Sequence, residues 1–109
     1  MTPENDWKPG EQSDSQTDLQ LVRKVRNGDR AAFDLLVVKY QSRVASIISR
    51  YVYDSQEVMD LTQETFVKAF RAIDRFRGDS AFYTWLYRIA VNTAKNFLEA
   101  RGRRPQGSA

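Results

Sequence analysis

Apolar residues recur along most of this chain at steps of three and four positions, the spacing that places them on one side of an α-helix. The repeat occurs in separate blocks, and no stretch alternates apolar and polar residues with the two-residue period of a strand. The pattern therefore predicts an all-α fold, a compact bundle of one short and three long helices with short connections. The predicted helices cover about residues 19–26, 30–53, 55–75 and 80–101.

Polar and glycine residues flank these blocks where helices begin and end. Side chains of Asp, Ser and Thr cap free N–H groups at a helix N-terminus, and glycine readily ends a helix. The candidate N-caps are Thr17 or Asp18, Asp29, Asp54 or Ser55, and Asp79 or Ser80, and the candidate stops are Asn27-Gly28 and Gly102. The predicted inner stripes are Phe33, Leu36, Val37, Tyr40, Val44, Ile47, Ile48 and Tyr51 in the second helix, and Met59, Thr62, Phe66, Ala69, Phe70 and Ile73 in the third.

The two ends of the chain lack this periodicity. Residues 1–17 are polar and contain two prolines and a glycine, so we predict a disordered leader. This leader has no apolar core beside basic residues, which argues against a signal peptide. The helical domain is predicted over residues 18–102, and residues 103–109 form a polar tail.

Composition and motif content exclude several classes of function. The chain has no cysteine and no histidine, which removes disulfides, thiolate metal ligands and the commonest general base. It has no phosphate-binding loop, dinucleotide fingerprint or zinc spacing, and no apolar run approaches the ~18 residues of a membrane span. We therefore predict a protein that is not an enzyme, with no cofactor, no metal and no membrane insertion. The absence of cysteine is compatible with a reducing cytosol, and we expect a cytoplasmic location.

The net charge of +3 is unevenly distributed. Residues 1–18 carry five acidic residues and one lysine, whereas residues 68–109 carry nine basic and three acidic residues. A basic half of this kind suits a polyanion such as nucleic acid. A run of charge by itself is equally typical of a solvated face.

The fourth predicted helix places an indole ring on its polar side. Its apolar side holds Phe82, Leu86, Ile89, Thr93 and Phe97, continuous with Tyr83, Tyr87, Ala90, Val91, Ala94 and Leu98. The remaining arc holds Thr84, Arg88, Asn92, Lys95, Asn96 and Glu99, with Trp85 among them. Such a ring suits a surface that stacks on bases while its neighbours contact phosphates or base edges. The alternative is that Trp85 packs against a neighbouring loop.

Phe76 opens the loop that precedes this helix. It is either a buried hydrophobic stop or one wall of a pocket for an extruded base, facing Arg88 and Asn92. In the second case the Asn92 amide can bond the edge of that base. Past the helix, Arg101, Arg103 and Arg104 either contact phosphates or form a charged, frayed end.

The third predicted helix presents two carboxylates and an amide on one outward face. Asp60, Gln63 and Glu64 stand at i, i+3 and i+4, and no histidine or second carboxylate pair accompanies them to suggest a metal site. Two interpretations remain open. The face is solvated, with an internal Glu64–Lys68 pair, or it docks an arginine-bearing partner helix.

Taken together, these segments resemble the σ2 domain of bacterial extracytoplasmic-function sigma factors, especially the envelope-stress group. The resemblance runs from about Asp18 to Pro105 and is carried by GDRAAFDLLVVKYQSRVASIISRYV, DLTQETFVKAFRAIDRFRGDSAFYTWLYRIAVNTAKNFL and ARGRRP. It implies a transcription initiation factor that binds core RNA polymerase, recognises and opens promoters, and is held inactive by an anti-sigma factor. It also implies that residues 103–109 begin an interdomain linker whose σ4 domain is absent.

The resemblance assigns roles to individual residues. Asp60, Gln63 and Glu64 match the segment that docks on the coiled coil of the polymerase β′ clamp. The DNA-facing positions, which read the promoter −10 element as single-stranded non-template DNA, match or neighbour Lys68, Phe76, Tyr83, Trp85, Arg88, Asn92 and Asn96, with Phe76 and Asn92 at the pocket for a flipped base.

Housekeeping sigma factors carry two tryptophans where this chain has Trp85-Leu86, so the resemblance implies that duplex opening is more sequence-demanding here. A competing hypothesis from another class is a pure protein-interaction bundle, such as an anti-sigma decoy, with no role in DNA binding. This hypothesis predicts that the chain shows no salt-dependent binding of oligonucleotides.

Overall fold

The structure, a computed structural model, describes the backbone of residues 8–103 and the side chains of residues 15–102. Over these residues it contains helices and no strand, which confirms the predicted all-α bundle. The elements in the described residues are α1 (Lys8–Arg26), α2 (Arg30–Ser49), α3 (Ser55–Ala72), a 3-10 turn (Ile73–Arg75) and α4 (Phe82–Arg103).

The first helix is long, and its predicted start is wrong. α1 begins at Lys8 rather than Leu19 and has 19 residues. Residues 8–17 of the predicted leader have helical backbone, and residues 1–7 lie outside the described residues. The predicted start rested on a cap at Thr17 or Asp18, but both residues lie inside α1.

Asp18 is a polar contact between α1 and α2. It is 2% exposed, and its carboxylate accepts a hydrogen bond of 2.7 Å from Lys39 Nζ and another from the Tyr40 hydroxyl. A buried carboxylate is tolerated when it is paired and hydrogen-bonded in this way. The position of Asp18 inside α1 therefore depends on side chains of α2, which the local sequence around Asp18 does not reveal.

Replacing Asp18 by alanine is expected to lower the free energy of unfolding by about 2 kcal/mol, because a buried, charge-assisted pair of hydrogen bonds to Lys39 and Tyr40 is lost. Urea titration followed by circular dichroism measures this change. Gln20→Ala, at an exposed position of α1, is the control and is expected to leave the midpoint nearly unchanged. Equal midpoints for both variants contradict the expectation.

Two of the predicted N-caps are confirmed. Asp29 accepts a hydrogen bond of 3.3 Å from the N–H of Ala32, and Asp54 accepts one of 3.0 Å from the N–H of Glu57. Each bond satisfies an N–H group that has no partner within the first turn of its helix. α2 ends at Ser49, about one turn earlier than predicted.

The predicted stop at Gly102 is wrong, since α4 continues to Arg103. A glycine typically ends a helix by adopting left-handed backbone, as Gly28 does after α1 with φ of 97°. Gly102 has no positive φ, so it remains helical. Residues 104–109, which hold the rest of the predicted linker, lie outside the described residues.

α2 lies at the centre of the bundle and packs against α1, α3 and α4. Leu36, Val44 and Ile48 of α2 are fully buried, and burial of each such side chain contributes about 1.5–3 kcal/mol. The inner stripe predicted for this helix is confirmed, because its members are buried or half-buried.

Met59 is the error in the inner stripe predicted for α3. It is 59% exposed, whereas Leu61 and Thr65, which the prediction omitted, are buried. Met59 precedes Thr62 by three residues, which places both on about the same side of the helix. Met59 nevertheless lies beyond the edge of the contact between α2 and α3. The other predicted members are buried or half-buried: Thr62, Phe66, Ala69, Phe70 and Ile73.

Candidate nucleic-acid interface

α4 has an inner and an outer face, as its sequence pattern predicts. The inner face is buried against the rest of the bundle and includes Phe82, Leu86, Ala90, Thr93 and Ala94. The outer face is exposed and consists of Thr84, Arg88, Asn92, Lys95, Asn96 and Glu99. The amide and guanidinium groups of α4 therefore face outward.

Trp85 lies at the border between these two faces. It is half-buried, and its ring centroid lies 5.3 Å from that of Phe76 and 5.7 Å from that of Phe82. One side of the indole packs on aromatic rings while the residue keeps solvent access, so the role of Trp85 in stacking on bases stays a prediction. Packing of this kind fixes the orientation of the exposed part of the ring.

Phe76 is a buried hydrophobic stop and not an exposed wall of a pocket. It is 3% exposed, and its ring meets that of Phe82 edge to face at 5.8 Å. The interpretation of Phe76 as an open wall facing Arg88 and Asn92 is therefore corrected. The 3-10 turn directs its side chain into the core, where it supports Trp85 from behind.

The 3-10 turn before Phe76 is anchored to α1. Arg26 donates two hydrogen bonds to the carbonyl of Ile73, of 3.2 Å from Nε and 3.1 Å from Nη2. Gly78 turns the chain with φ of 85°, a conformation that side chains other than glycine adopt at a cost. The 3-10 turn that leads into the loop before α4 is thus held by two hydrogen bonds from one guanidinium, a contact that sequence analysis did not identify.

Tyr83 packs on α2 and is half-buried. Its ring stacks on that of Tyr40 with centroids 5.4 Å apart, and the Arg43 guanidinium lies 5.3 Å from its centroid. Tyr87, which the pattern assigned to the inner side, is 38% exposed. The tyrosines and Trp85 therefore lie on opposite flanks of the start of α4.

Lys68 connects α3 with α4. Its Nζ forms an ion pair of 3.1 Å with Glu64 and a hydrogen bond of 3.3 Å with Thr93 Oγ1. The predicted pair between Glu64 and Lys68 is therefore present. Since both side chains are about half exposed, the pair contributes little to stability and remains available to a partner.

The acidic face predicted on α3 is exposed. Asp60, Gln63 and Glu64 all reach solvent, and Asp60 accepts a hydrogen bond of 3.0 Å from Gln56. Beside them the exposed Met59 borders a depression of about 270 Å³ between α2 and α3. Methionine is enriched at protein interfaces, whose rims are polar, so this surface is suited to a protein partner.

Arg101 does not lie at a frayed helix end. It forms an ion pair with Glu57 of α3, and its guanidinium lies 4.6 Å from the ring centroid of Phe97. These contacts tie the last turns of α4 to the start of α3. The side chains of Arg103 and Arg104 lie outside the described residues.

No group of three or more acidic residues is placed to hold a metal ion within the described part of the chain. No helix found there combines the length and apolarity required to cross a membrane.

The model of the family described as Sigma-70 region 2 matches residues 36–104. This range includes all the residues assigned above to DNA binding and polymerase docking. The chain belongs to the sigma-70 region 2 family, which confirms the resemblance to σ2. Sigma factors initiate transcription and are not enzymes, so the prediction that the chain is not an enzyme is also confirmed.

Two curated relatives share about two thirds of the aligned residues. The chain is 65% identical over 96 residues to the ECF RNA polymerase sigma-E factor of Escherichia coli, covering 88% of this chain and 50% of that protein. It is 64% identical over 91 residues to the RNA polymerase sigma-H factor of Pseudomonas aeruginosa, covering 84% and 47%. The chain thus spans about half the length of the curated relatives it matches.

Two solved structures have the same fold. An engineered region 2 of sigmaE in complex with GTAAAA, determined by NMR, has a TM-score of 0.76 and 58% identity, covering 82% of this chain and 93% of that one. CnrH in complex with the cytosolic domain of CnrY has a TM-score of 0.68 and 30% identity, covering 84% of this chain and 69% of that one.

Proposed function

We propose that this chain recognises the promoter −10 element as single-stranded non-template DNA and docks on the β′ clamp coiled coil of RNA polymerase. In this role it is the promoter-opening part of a stress-type transcription initiation factor. The observation that carries the proposal is the exposed outer face of α4, which includes Arg88, Asn92 and Asn96 and has the half-buried Trp85 at its border. The complex of an engineered region 2 of sigmaE with GTAAAA supports it.

The DNA-facing side combines three kinds of contact. The Asn92 amide, which has both a donor and an acceptor, can form two hydrogen bonds with a base edge. Arg88 supplies charge for phosphates, and the accessible part of Trp85 supplies a surface for stacking. Phe76 enters this scheme as the support of Trp85, since its own ring is buried.

Leu86 limits the number of stacking rings. It occupies the position beside Trp85 where housekeeping sigma factors have a second tryptophan, and it is fully buried in the core of this bundle. Base stacking contributes about 1–3 kcal/mol per base, so the open DNA state gains less here than with two exposed rings. Opening then depends more on base-specific contacts such as that of Asn92.

The polymerase-docking side is the acidic face of α3. Asp60, Gln63 and Glu64 are exposed, and carboxylates accept paired hydrogen bonds from arginine. Exposed Met59 adds apolar area next to these charges. An anti-sigma factor is a further proposed partner, supported by the CnrH complex with the cytosolic domain of CnrY.

A protein-interaction bundle without a DNA role is the second candidate. It is favoured by exposed apolar side chains on α2 and α3, since Val38 is 69% and Val67 is 47% exposed. A surface of this kind is typical of protein contacts. This candidate requires that oligonucleotides do not bind in a salt-dependent manner.

A fluorescence titration with GTAAAA and with its complement TTTTAC tests the proposal. We expect the wild-type chain to prefer GTAAAA, and we expect Asn92→Ala to weaken binding of the preferred strand by about 10- to 100-fold, as for loss of a bidentate base contact. A series varied one base at a time locates the affected base. Gln20→Ala, which removes an exposed amide from α1, is the matched control.

Because Asn92 is exposed, its replacement is expected to leave the urea midpoint unchanged. If the wild-type chain binds GTAAAA and TTTTAC with equal affinity at every salt concentration, the proposed recognition of the non-template strand is wrong. A wild-type preference that Asn92→Ala leaves intact contradicts the assignment of Asn92 alone.

A further inference from the structure

A surface depression of about 370 Å³ lies between α2 and the start of α4, away from the predicted base-reading face. It is lined by Ser42, Arg43, Ser46, Ile47, Arg50 and Tyr83. Two arginines and two serines converge there around one aromatic ring, and no carboxylate is among the lining residues. We propose that this depression binds the phosphate backbone of the DNA strand whose bases α4 reads, and this inference rests on the function proposed above.

Arg43 is positioned by aromatic rings. Its guanidinium lies 5.3 Å from the ring centroid of Tyr83 and 5.9 Å from that of Tyr40. Among the described side chains, no carboxylate forms an ion pair with Arg43. A guanidinium that lies over an aromatic face keeps its N–H edges available for a phosphate oxygen.

The rings beneath Arg43 are themselves fixed. Tyr40 is 4% exposed, donates its hydroxyl hydrogen to buried Asp18, and stacks on Tyr83. Asp18 also accepts from Lys39, which lies on α2 one turn before Arg43. The contacts from Asp18 through Tyr40 to Tyr83 thus hold the floor on which Arg43 lies, so the depression is preformed before a ligand arrives.

Arg50 extends the site along α2. It is exposed and follows Arg43 by seven residues, which is about two helical turns or 10 Å along the axis. Ser42 and Ser46 lie beside and between them and provide hydroxyl donors. Arginine and serine side chains are among the groups that contact DNA phosphates, and such contacts position a strand without reading its sequence.

The position of Tyr83 connects this depression with the base-reading face. Tyr83 and Trp85 are two residues apart, about 200° around the axis, and so lie on opposite flanks of the first turn of α4. A strand that crosses this turn from Trp85 reaches the depression after about one helix diameter, near 10 Å. We therefore assign the depression to nucleotides next to those that stack on Trp85.

The charge of the site favours a polyanion over an apolar partner. An acidic protein segment is the competing occupant, since it also supplies anionic oxygens. It lacks the continuity with the base-reading face that a DNA strand has. Binding of polyglutamate serves as the test of this alternative.

The test compares Arg43→Gln/Arg50→Gln with the control Arg23→Gln/Arg71→Gln, which removes the same charge from exposed positions lining other depressions. The probes are GTAAAA and a 12-base strand with GTAAAA at its centre. We expect wild type and control to bind the longer strand more tightly, and Arg43→Gln/Arg50→Gln to lose this gain. The slope of log K against log salt is expected to fall by about 1.4 for two lost phosphate contacts on a single strand.

The choice among single bases within GTAAAA is expected to stay unchanged in Arg43→Gln/Arg50→Gln, because phosphate contacts carry no base information. The phosphate site is overturned if this variant still binds the 12-base strand more tightly than GTAAAA and keeps the wild-type slope of log K against log salt. Tighter binding of polyglutamate than of the 12-base strand, dependent on the same arginines, overturns it as well. If wild-type protein fails to prefer GTAAAA over TTTTAC, the failure lies with the proposed function instead.

Discussion

Replacing Phe76 by alanine is expected to lower the free energy of unfolding by about 3–5 kcal/mol, the cost of removing a large aromatic side chain from a core. The ring is 3% exposed and contacts those of Phe82 and Trp85, so its loss leaves a cavity beneath α4. Urea titration measures the change. Tyr53→Ala, which removes a ring that is 91% exposed, is the control and is expected to leave the midpoint nearly unchanged.

Phe76→Leu separates the structural effect from a direct contact with DNA. Leucine retains most of the buried apolar volume, so this variant is expected to stay folded and to keep a preference for GTAAAA over TTTTAC. We expect Phe76→Leu to lose less affinity for GTAAAA than Asn92→Ala does. The loss arises because leucine supports the Trp85 ring less well than phenylalanine. If the folded Phe76→Leu protein loses strand preference as fully as Asn92→Ala, the ring contacts a base directly and the supporting role is wrong.

Reversing the charge of Asp60 and Glu64 together is expected to weaken binding to core RNA polymerase by about 100-fold or more. Loss of one partner in an interfacial charge pair costs about 2–5 kcal/mol, and an introduced arginine adds repulsion toward a basic partner. Competition with labelled wild-type protein for core polymerase measures this change. We expect the affinity of Asp60→Arg/Glu64→Arg for GTAAAA not to fall, since neither residue is among the proposed DNA-facing residues.

Asp74→Arg is the control for that experiment because it reverses an exposed carboxylate in the 3-10 turn, outside the acidic face of α3. Since the Glu64→Arg change removes the ion pair with Lys68, the urea midpoint of Asp60→Arg/Glu64→Arg must also be compared with wild type. The docking assignment is contradicted if the Asp60→Arg/Glu64→Arg protein is folded and competes for core polymerase as strongly as the wild-type protein does.

The two faces of α4 were predictable from sequence. Periodicity alone separates Leu86 and Ala90 from Arg88 and Asn92, because neighbouring positions on a helix differ by a fixed rotation. The capping roles of Asp29 and Asp54 followed similarly, since an N-cap acts on N–H groups two or three residues ahead. The residue-level DNA and polymerase contacts remain predictions.

Phe76 and Asp18 show why other features were not predictable. A phenylalanine before a turn is compatible with an exposed or a buried ring, and contacts with Phe82 and Trp85 decide between them. An aspartate near a polar segment resembles an N-cap until Lys39 of α2 is placed beside it. Met59 was misassigned because the periodic pattern does not show where α2 stops covering α3.

The amino-acid order by itself determined that this chain is helical, where α2 and α3 begin, and which groups of α4 point outward, because each of these depends on residues within a turn or two. Tertiary structure decided that Phe76 supports Trp85 from inside the core and that Arg43, Arg50 and Tyr83 share one depression. Those outcomes depend on distances between helices that are far apart in the chain, and packing of complete helices against α2 sets these distances.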